Sequence, residues 1–317
     1  MPTASVIAVC GEAIVDLVPT GTAAYAALPG GSPANTAVAL ARLGVATSLL
    51  ARLSGDASGR LLREHLAANR VDLGRCVAAV EPSSLAVVDV ASDGTASYRF
   101  LLDGTADWQW TAQELAPLGP DVAALHAGSL ALARAAELEA FLGRCACTVS
   151  IDPNLRPALL GDLGEARAAM QRWLALADVV RASSDDVQLL HPGEDPVEVA
   201  RRWAAAGPAL VVVTLAGDGA VAVLAGDPTP VRRPARAVEV VDTVAAGDTF
   251  TAGMLTRLLL DGCLGGRLDG LTRDQVARAL DLGLQAAAVT CSRQGADPPS
   301  GAELGLAPVP APGGAGT

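Results

Sequence analysis

Residues 240–250, VVDTVAAGDTF, form an apolar run that leads through a turn of small residues into the apolar-periodic stretch 249–260 of a predicted helix. Ala245, Ala246 and Gly247 let a ligand approach the backbone closely, and the free N–H groups and positive dipole end of a helix start favour an anion such as phosphate. The same field is expected to keep Asp248 ionised. Because a carboxylate repels phosphate, we expect Asp248 to accept a proton from an attacking hydroxyl. The alternative is that Asp248 caps its own helix.

A second segment, residues 30–44, reads GGSPANTAVALARLG and predicts a helix with Ser32 as its N-cap. The pair Gly30 and Gly31 permits a turn that side chains would forbid, and Asn35 can both donate to and accept from hydroxyls. This chemistry suits a polyol better than a charged or apolar ligand. The alternative is a helix that follows an ordinary glycine turn.

Composition excludes several classes of protein. All 23 basic residues are arginines, so a Walker-A P-loop, the strand lysine of protein kinases and a Schiff-base lysine are all excluded. Nucleotide phosphates would have to be held by backbone, arginine and metal. The net charge of −11 argues against nucleic-acid binding, because no basic stripe is present. We expect a cytoplasmic protein without a membrane segment, since no signal peptide precedes Val6 and the longest apolar run, 37–53, contains Arg42 and Arg52. The six cysteines lack metal-site spacing, and we expect reduced thiols.

Short β-branched runs alternate with helical periods, a pattern typical of a parallel sheet flanked by helices. The predicted strands are 6–10, 46–52, 123–127, 148–152, 179–181, 210–215 and 220–224, and the clearest helices are 61–69, 135–145, 163–176, 196–206, 247–260 and 273–290. Residues 13–28 and 85–102, the latter with a Ser92-Asp93-Gly94 turn, indicate hairpin strands. The Pro/Gly/Ala-rich tail 308–317 is expected to be disordered.

The two segments together resemble the signature regions of the ribokinase-like (pfkB-type) carbohydrate kinases. Those signatures, Gly-Gly-x-x-x-Asn and Asp-Thr-x-Ala-Ala-Gly-Asp, are met by residues 30–35 and 242–248, and the similarity extends to 11–17, 152–157, 211–220 and 289–299. The resemblance implies an α/β, ribokinase-like three-layer sandwich with a central, mostly parallel sheet and a small β lid. It implies one kinase domain over 1–307, with lid strands from about 12–29 and 85–103.

The resemblance also implies ATP-dependent phosphorylation of the primary hydroxyl of a small sugar. Asp248 would be the base, and Ala245, Ala246 and Gly247 would offer backbone N–H groups to the transferred phosphoryl. The residues implied for the sugar are Asp16, Gly30, Gly31, Asn35, Arg99, Phe100 and Asp248. Asp16 could instead be a surface acid, and Phe100 could belong to the core of the lid.

On the nucleotide side the resemblance implies Ser183, Thr214, Gly217 and Gly219. Residues 217–222 also read as GxGxxA after a strand, but a dinucleotide site would need a helix next. The apolar run 220–224 continues as a strand, which favours a hairpin.

Metal ions enter through the same resemblance. Magnesium would bind to the ATP phosphates. The family motif Asn-x-x-Glu, which supports the metal contact, is replaced here by Ser183-Ser184-Asp185-Asp186. Asp186 would then supply the carboxylate at the position of the glutamate. Arg156 is implied as a phosphate partner, with a surface ion pair as the alternative. The residues that fall where many members of the family bind potassium are Asp242, Val244, Ala287 and Gly295, and oxygen ligands suit such a hard cation.

The identity of the sugar depends on smaller motifs. DPNLRP, GTADW (104–108) and SRQGADPP are more similar to fructokinase-type members than to ribokinases, so fructose is the first choice, with 2-keto-3-deoxygluconate or ribose as alternatives. A catalytically silent sugar-binding protein and a nicotinamide dehydrogenase are hypotheses of other classes. The expected partners are the sugar, ATP and a second copy of the chain bound through the lid.

Overall fold

The computed structural model describes residues 5–21, 23–90, 96–129, 136–227 and 229–307. Within them lie the strands β1 Val6–Cys10, β2 Ile14–Gly21, β3 Ala24–Gly30, β4 Ala46–Leu50, β5 Arg52–Ser54, β6 Val77–Ala79, β7 Leu85–Val90, β8 Ala96–Leu101, β9 Val122–Gly128, β10 Thr148–Asp152, β11 Val179–Ser183, β12 Leu210–Thr214, β13 Ala220–Leu224 and β14 Val231–Arg233. The helices are α1 Ser32–Arg42, α2 Ala57–Ala68, α3 Ala136–Leu142, α4 Leu163–Leu176, α5 Ser184–Leu190, α6 Pro196–Ala204, α7 Ala246–Leu260 and α8 Arg273–Cys291.

The central sheet has eight strands in the order β14-β13-β12-β11-β10-β9-β1-β4. The pairs from β4 through β12 are parallel, whereas β12–β13 and β13–β14 are antiparallel. Helices α1, α2, α7 and α8 pack on one face, and α3, α4, α5 and α6 pack on the other. The predicted α/β fold with a mostly parallel sheet between two helical layers is therefore confirmed.

Burial on both faces explains why the central strands are apolar without alternation. In β1, Ile7 and Val9 pack in one hydrophobic layer while Ala8 and Cys10 pack in the other. Leu210 and three valines fill β12 in the same way, and all of these side chains are fully buried. Such two-sided burial fixes the register of each strand, since a slip of one residue would exchange its two faces.

The smaller sheet has the order β3-β2-β7-β8, with β2–β3 and β7–β8 antiparallel and β2–β7 parallel. It accounts for both stretches that departed from the helix–strand rhythm. The predicted turn Ser92-Asp93-Gly94 and the tail 308–317 lie outside the described residues.

Most predicted bounds agree with the structure to within two residues, and the exceptions are as follows. The strand predicted over 46–52 is broken at Ala51 into β4 and β5. Helix α2 begins at residue 57 rather than 61, because Asp56 caps it by accepting from Gly59 N. Residue 135 lies outside the described residues, and α3 ends at Leu142 rather than residue 145. Helix α5 and the short strands β6 and β14 are not among the predicted elements. Among the described residues, no helix has the length and apolar character needed to cross a membrane.

Candidate functional site

The predicted site residues meet where the carboxyl ends of β10, β11 and β12 approach the start of α7. In open α/β sheets, ligands bind at this edge. A smaller cavity of about 380 Å³ lies beside the four-stranded sheet, and a larger cavity of about 610 Å³ lies beside β12 and α8. Four residues line both cavities: Arg181, Thr243, Ala246 and Gly247.

The turn into α7 has the form that an anion site needs. Ala245 is the N-cap and adopts a left-handed conformation with φ of 59°, which is uncommon outside glycine. The N–H of Ala246 donates to the Thr243 carbonyl at 3.2 Å. The N–H groups of Ala245, Gly247 and Asp248 have no acceptor among the described residues. Two of the three predicted N–H donors are therefore free for a ligand, and Ala246 is used by the turn.

Asp248 does not cap its helix. Its carboxylate accepts from Ser32 Oγ at 2.6 Å and from Asn35 Nδ2 at 3.0 Å, both at the start of α1. Its side chain is 7% exposed and lines the smaller cavity. The structure therefore joins the two signature segments through one carboxylate, across 216 residues of sequence.

Burial raises the pKa of Asp248 to about 6, and Asp152 adds to the rise, while the donors Ser32 and Asn35 and the charge of Arg156 lower it. Burial is the largest of these causes, so the field of the helix start does not determine the charge state of Asp248 by itself. A carboxylate with this pKa is mostly ionised at pH 7 and is a stronger base than an exposed aspartate.

The sequence predicted Ser32 as the N-cap of α1, but the structure has Gly31 in that position. The helix begins at Ser32 with Gly31 as its N-cap, at φ of 99° and without a side-chain cap. A Cβ on Gly31 would lie 2.8 Å from the Glu12 carbonyl, so glycine is needed there for both conformation and space. The Ser32 hydroxyl is thereby released from capping and donates to Asp248.

The smaller cavity gathers most of the residues predicted for the sugar. It is lined by Asp16, Gly31, Asn35, Phe100, Arg156, Val244, Ala245, Ala246, Gly247 and Asp248. Gly30 is absent from its wall. A Cβ on Gly30 would meet Asp16 Oδ2 at 2.4 Å, so this glycine makes room for the Asp16 carboxylate.

Arg99 does not line the smaller cavity, although the sequence placed it there. Side chains alternate along β8, so Tyr98 and Phe100 share the face toward the cavity while Arg99 belongs to the opposite face. The Tyr98 and Phe100 rings stack with centroids 6.2 Å apart. Tyr98 is thus a wall residue that the sequence analysis missed, and the strand register would have indicated it.

Asp16 and Arg156 form the charged part of the smaller cavity. Burial raises the pKa of Asp16 to about 6, and the charge of Arg156 opposes that rise. Arg156 Nη1 donates to Asn154 Oδ1 at 2.6 Å and to the carbonyls of Asn154 and Leu155. Asp16 is therefore not a surface acid. The acceptors of Arg156 named here are an amide oxygen and two carbonyl oxygens, so these contacts do not form the surface ion pair that was the alternative.

The larger cavity contains the predicted nucleotide-side residues Ser183, Thr214, Gly217 and Gly219, together with Ala287. Strands β12 and β13 are an antiparallel hairpin, so the dinucleotide reading of residues 217–222 is excluded. Gly219 has φ of 97°, and a Cβ there would lie 2.1 Å from the Arg233 carbonyl. The same cavity has one charged residue, Arg236, among a group of apolar wall residues, namely Ala235, Ala237, Val238, Val240, Leu284 and Ala288.

Asp186 does not face either cavity. It forms a capping box with Ser183 at the start of α5 and accepts from Leu155 N at 2.7 Å. Burial raises its pKa. The neighbouring Asp185 lines the larger cavity instead.

Three of the four residues predicted for potassium meet in one place. Asp242 Oδ1 accepts from Val244 N at 3.1 Å, and Oδ2 accepts from Gly295 N at 2.9 Å. The carboxylate thus ties two loops together and retains lone pairs that suit a hard cation. No group of three or more His, Cys, Asp or Glu ligands occurs in the described part of the chain.

Comparison with known proteins places this geometry in context. The model of the pfkB family carbohydrate kinases matches residues 5–302. A fructokinase from Rhizobium leguminosarum bv. trifolii is 37% identical over 264 residues, 80% of each chain. Aminoimidazole riboside kinase from Salmonella typhimurium is 31% identical over 80% of this chain and 81% of its own. The crystal structure of a double mutant of Vibrio cholerae fructokinase, bound to fructose, ADP and potassium, has a TM-score of 0.80 at 29% identity and covers 93% of this chain and 95% of that one.

Proposed function

The chain belongs to the pfkB family of carbohydrate kinases, and from this premise we propose that it transfers the γ-phosphoryl of ATP to the primary hydroxyl of fructose. The observation that carries the proposal is the place of Asp248. Its carboxylate lines the smaller cavity at the point where the two cavities meet at the free N–H groups of α7. We assign the smaller cavity to the sugar, the larger one to ATP, and residues 1–307 to one kinase domain.

Asp248 is the base in this proposal. Its carboxylate takes the proton of the sugar hydroxyl as that oxygen attacks phosphorus. Ser32 and Asn35 hold the carboxylate in position through their hydrogen bonds. The N–H groups at the start of α7 stabilise the negative charge on the transferred phosphoryl oxygens, and Asp248 itself stays unphosphorylated.

The wall of the larger cavity supports a nucleotide. Its apolar side chains suit the faces of a purine base, and the polar Thr214 and the glycines of the β12–β13 turn lie where phosphates need backbone approach. Bound magnesium would neutralise charge on the ATP phosphates, and Asp185 is the carboxylate of this cavity best placed to orient its water ligands. Potassium at the Asp242 loop is part of the proposal, supported by the potassium ion in the Vibrio cholerae structure.

Fructose is favoured among the sugars because both compared fructokinases cover most of the chain. Aminoimidazole riboside is a second candidate, supported by the Salmonella typhimurium relative. The sequence alternatives 2-keto-3-deoxygluconate and ribose remain to be tested. The small sheet acts as the lid over the sugar in this proposal, since Tyr98 and Phe100 form part of the cavity wall.

A homodimer through the lid and a cytoplasmic location complete the proposal. Tyr25, Leu28 and Leu101 are large apolar side chains about half exposed on the lid strands, and such residues favour association. Light scattering after size exclusion tests the dimer: twice the chain mass of 31.8 kDa is expected, and a monomer at micromolar concentration would contradict it.

The test of function is a coupled assay for ADP release with Mg-ATP, with and without potassium. The panel is fructose, aminoimidazole riboside, 2-keto-3-deoxygluconate and ribose, and we expect the highest kcat/KM with fructose. Asp248→Asn should lower kcat by about two to four orders of magnitude, the scale of a lost general base, with the affinities for ATP and sugar nearly unchanged. The matched control is Asp269→Asn, an exposed carboxylate beyond the far end of α7.

Two outcomes would count against the proposal. Absence of sugar-dependent ADP release across the panel, in a protein that still binds ATP and sugar, would favour the silent sugar-binding protein. An Asp248→Asn variant with a kcat within about tenfold of wild type would remove Asp248 from the role of base.

A further inference from the structure

Arg181 is a buried cation that the assignment above leaves without a role. It lies within β11, is 6% exposed, and lines both the smaller and the larger cavity. The sequence predicts only that it lies in a strand, because a single arginine in the apolar run 179–183 carries no motif. It is thus one of the four residues at the junction of the two cavities.

The contacts of Arg181 hold its guanidinium in one orientation. Nη1 donates to Asp152 Oδ2 at 2.8 Å, and Nη2 donates to Thr214 Oγ1 at 2.6 Å. The guanidinium carbon lies 5.9 Å from the centroid of the Phe250 ring. These three partners come from β10, β12 and α7, so the position of the charge is fixed by the frame of the sheet.

The guanidinium keeps unused donors at this position. Its five N–H groups are all capable of donation, and Nε is buried with no acceptor in the described part of the chain. A buried donor without a partner costs free energy. Nη1 and Nη2 each make one hydrogen bond and each carry a second N–H, so donors remain at the tip of a side chain that lines both cavities, and they point to a ligand that supplies acceptors.

Gly247 packs directly against the Arg181 guanidinium. A Cβ on this glycine would lie 2.7 Å from Nη1 and 2.9 Å from Nη2 of Arg181. The guanidinium is therefore packed directly against the first turn of α7, whose Gly247 N–H is free. Positive charge from the guanidinium and from the helix dipole converges on one spot, at the junction of the two cavities.

Arginine suits such a spot because its planar fork binds phosphate oxygens at two points and stays charged when buried. Burial opposes the charge, but the carboxylates Asp152, Asp186 and Asp248 outweigh burial and raise the pKa of Arg181. The side chain is thus a permanent cation in a chain that has no lysine for this purpose.

We propose that Arg181 is a catalytic residue that binds the γ-phosphoryl oxygens during transfer, together with the N–H groups of α7. The inference rests on the proposed kinase function. In the step, the sugar oxygen forms a bond to the γ-phosphorus and the bond from that phosphorus to the β,γ-bridging oxygen breaks. The electron pair leaves with ADP, the hydroxyl proton goes to Asp248, and Arg181 stabilises the charge without giving up a proton.

The test compares Arg181→Lys and Arg181→Ala with wild type, using the best sugar of the panel. We expect Arg181→Ala to lower kcat by about 100-fold or more, the scale of a lost charge-stabilising donor, while the Kd of ATP measured by calorimetry changes by less than about threefold. Arg181→Lys keeps the charge but loses the fork, and should lie between the two.

Chemical rescue separates this role from a structural one. Free guanidinium at millimolar concentration should restore part of the kcat of Arg181→Ala, since the larger cavity is open to solvent, and should not restore Asp248→Asn. The complex of ADP, aluminium fluoride and sugar, which imitates the transferred group, should bind at least about tenfold more weakly to Arg181→Ala than to wild type.

A kcat of Arg181→Ala within about threefold of wild type, or a deficit that guanidinium does not reduce, overturns the assignment. If Arg181→Ala does not fold, the double variant Asp152→Asn/Arg181→Met, which removes both buried charges, replaces it. A wild-type kcat in the double variant would also overturn the assignment, and a low kcat supports it. Lack of sugar-dependent activity in wild type itself would instead remove the proposed function.

Discussion

Replacing Ser32 with alanine removes the hydroxyl that donates to Oδ1 of Asp248 at 2.6 Å and leaves the donation from Asn35 at 3.0 Å in place. Both hydrogen bonds favour the ionised carboxylate, and they oppose the burial that raises the pKa of Asp248 to about 6. The variant should therefore have an Asp248 with a still higher pKa. Its base would be protonated over a wider range of pH.

The magnitude follows from the strength of a hydrogen bond to a charged group, about 1.5–3 kcal/mol, which corresponds to a shift of about one to two pKa units. We take about one unit, because the smaller cavity admits water that can replace the hydroxyl, so the pKa of Asp248 should move from about 6 to about 7. The ionised fraction at pH 6 then falls about fivefold, and at pH 8 it falls by only about a tenth.

The assay is kcat/KM for the sugar between pH 5 and pH 9, because this quantity reports the pKa values of the free enzyme. Asp16, whose pKa is also raised to about 6, contributes equally to both proteins, so the difference between their profiles belongs to Asp248. Ser32→Thr keeps a hydroxyl donor and is the matched control, expected to follow the wild-type profile. An acidic limb at the wild-type pH in Ser32→Ala, or a loss of activity that is uniform across pH, would refute the role of Ser32.

Two further variants test the packing of Gly247 against Arg181 and the effect of the buried Asp248 charge on the free energy of unfolding. Gly247→Ala places a Cβ 2.7 Å from the Arg181 guanidinium, and we expect kcat to fall by about tenfold or more. The control is Gly55→Ala, where the added Cβ meets nothing within 4 Å and kcat should stay at the wild-type value. Equal kcat values in the two variants would contradict the close approach. Asp248→Asn should raise the free energy of unfolding in urea at pH 8 by about 1–3 kcal/mol, because the folded pKa of Asp248 lies above its ordinary value and ionisation in the buried site destabilises the fold. This gain should shrink as the pH falls from 6 toward 4, and a gain that is independent of pH would show that its origin is not the buried charge.

The parts of the structure that the sequence predicted are those that depend on local pattern. The strands β1, β10 and β13 and the helix α4 have their predicted bounds, since each is a continuous apolar run or a strongly periodic one. The sequence does not predict helix α5, because its seven residues begin with Ser184 and two aspartates after the N-cap Ser183, a composition that resembles a loop. Its start is set by the capping box between Ser183 and Asp186, and Asp186 lines neither of the two cavities.

The errors within the site have a different origin. Arg99 and Phe100 were assigned together, but neighbouring residues of a strand face opposite sides, and only the pairing of β7 with β8 decides which side faces the cavity. Ser32 looked like a cap because its type and position fit one, yet Gly31 takes that place and the hydroxyl meets Asp248 across the fold. Both outcomes depend on tertiary contacts that the local sequence does not encode.

The charge state of Asp248 shows why the electrostatics of such a site cannot be inferred from the motif alone. The motif supplies the helix start, whose field favours an ionised carboxylate. The structure adds burial and the charge of Asp152, which disfavour ionisation, and then the donors Ser32 and Asn35 and the charge of Arg156, which favour it. These groups come from separate segments of the chain, and their balance places the pKa at about 6. A higher value would leave the base protonated at neutral pH, and a much lower one would weaken its pull on the hydroxyl proton. The residues that tune the base are therefore as much a part of the site as the base itself.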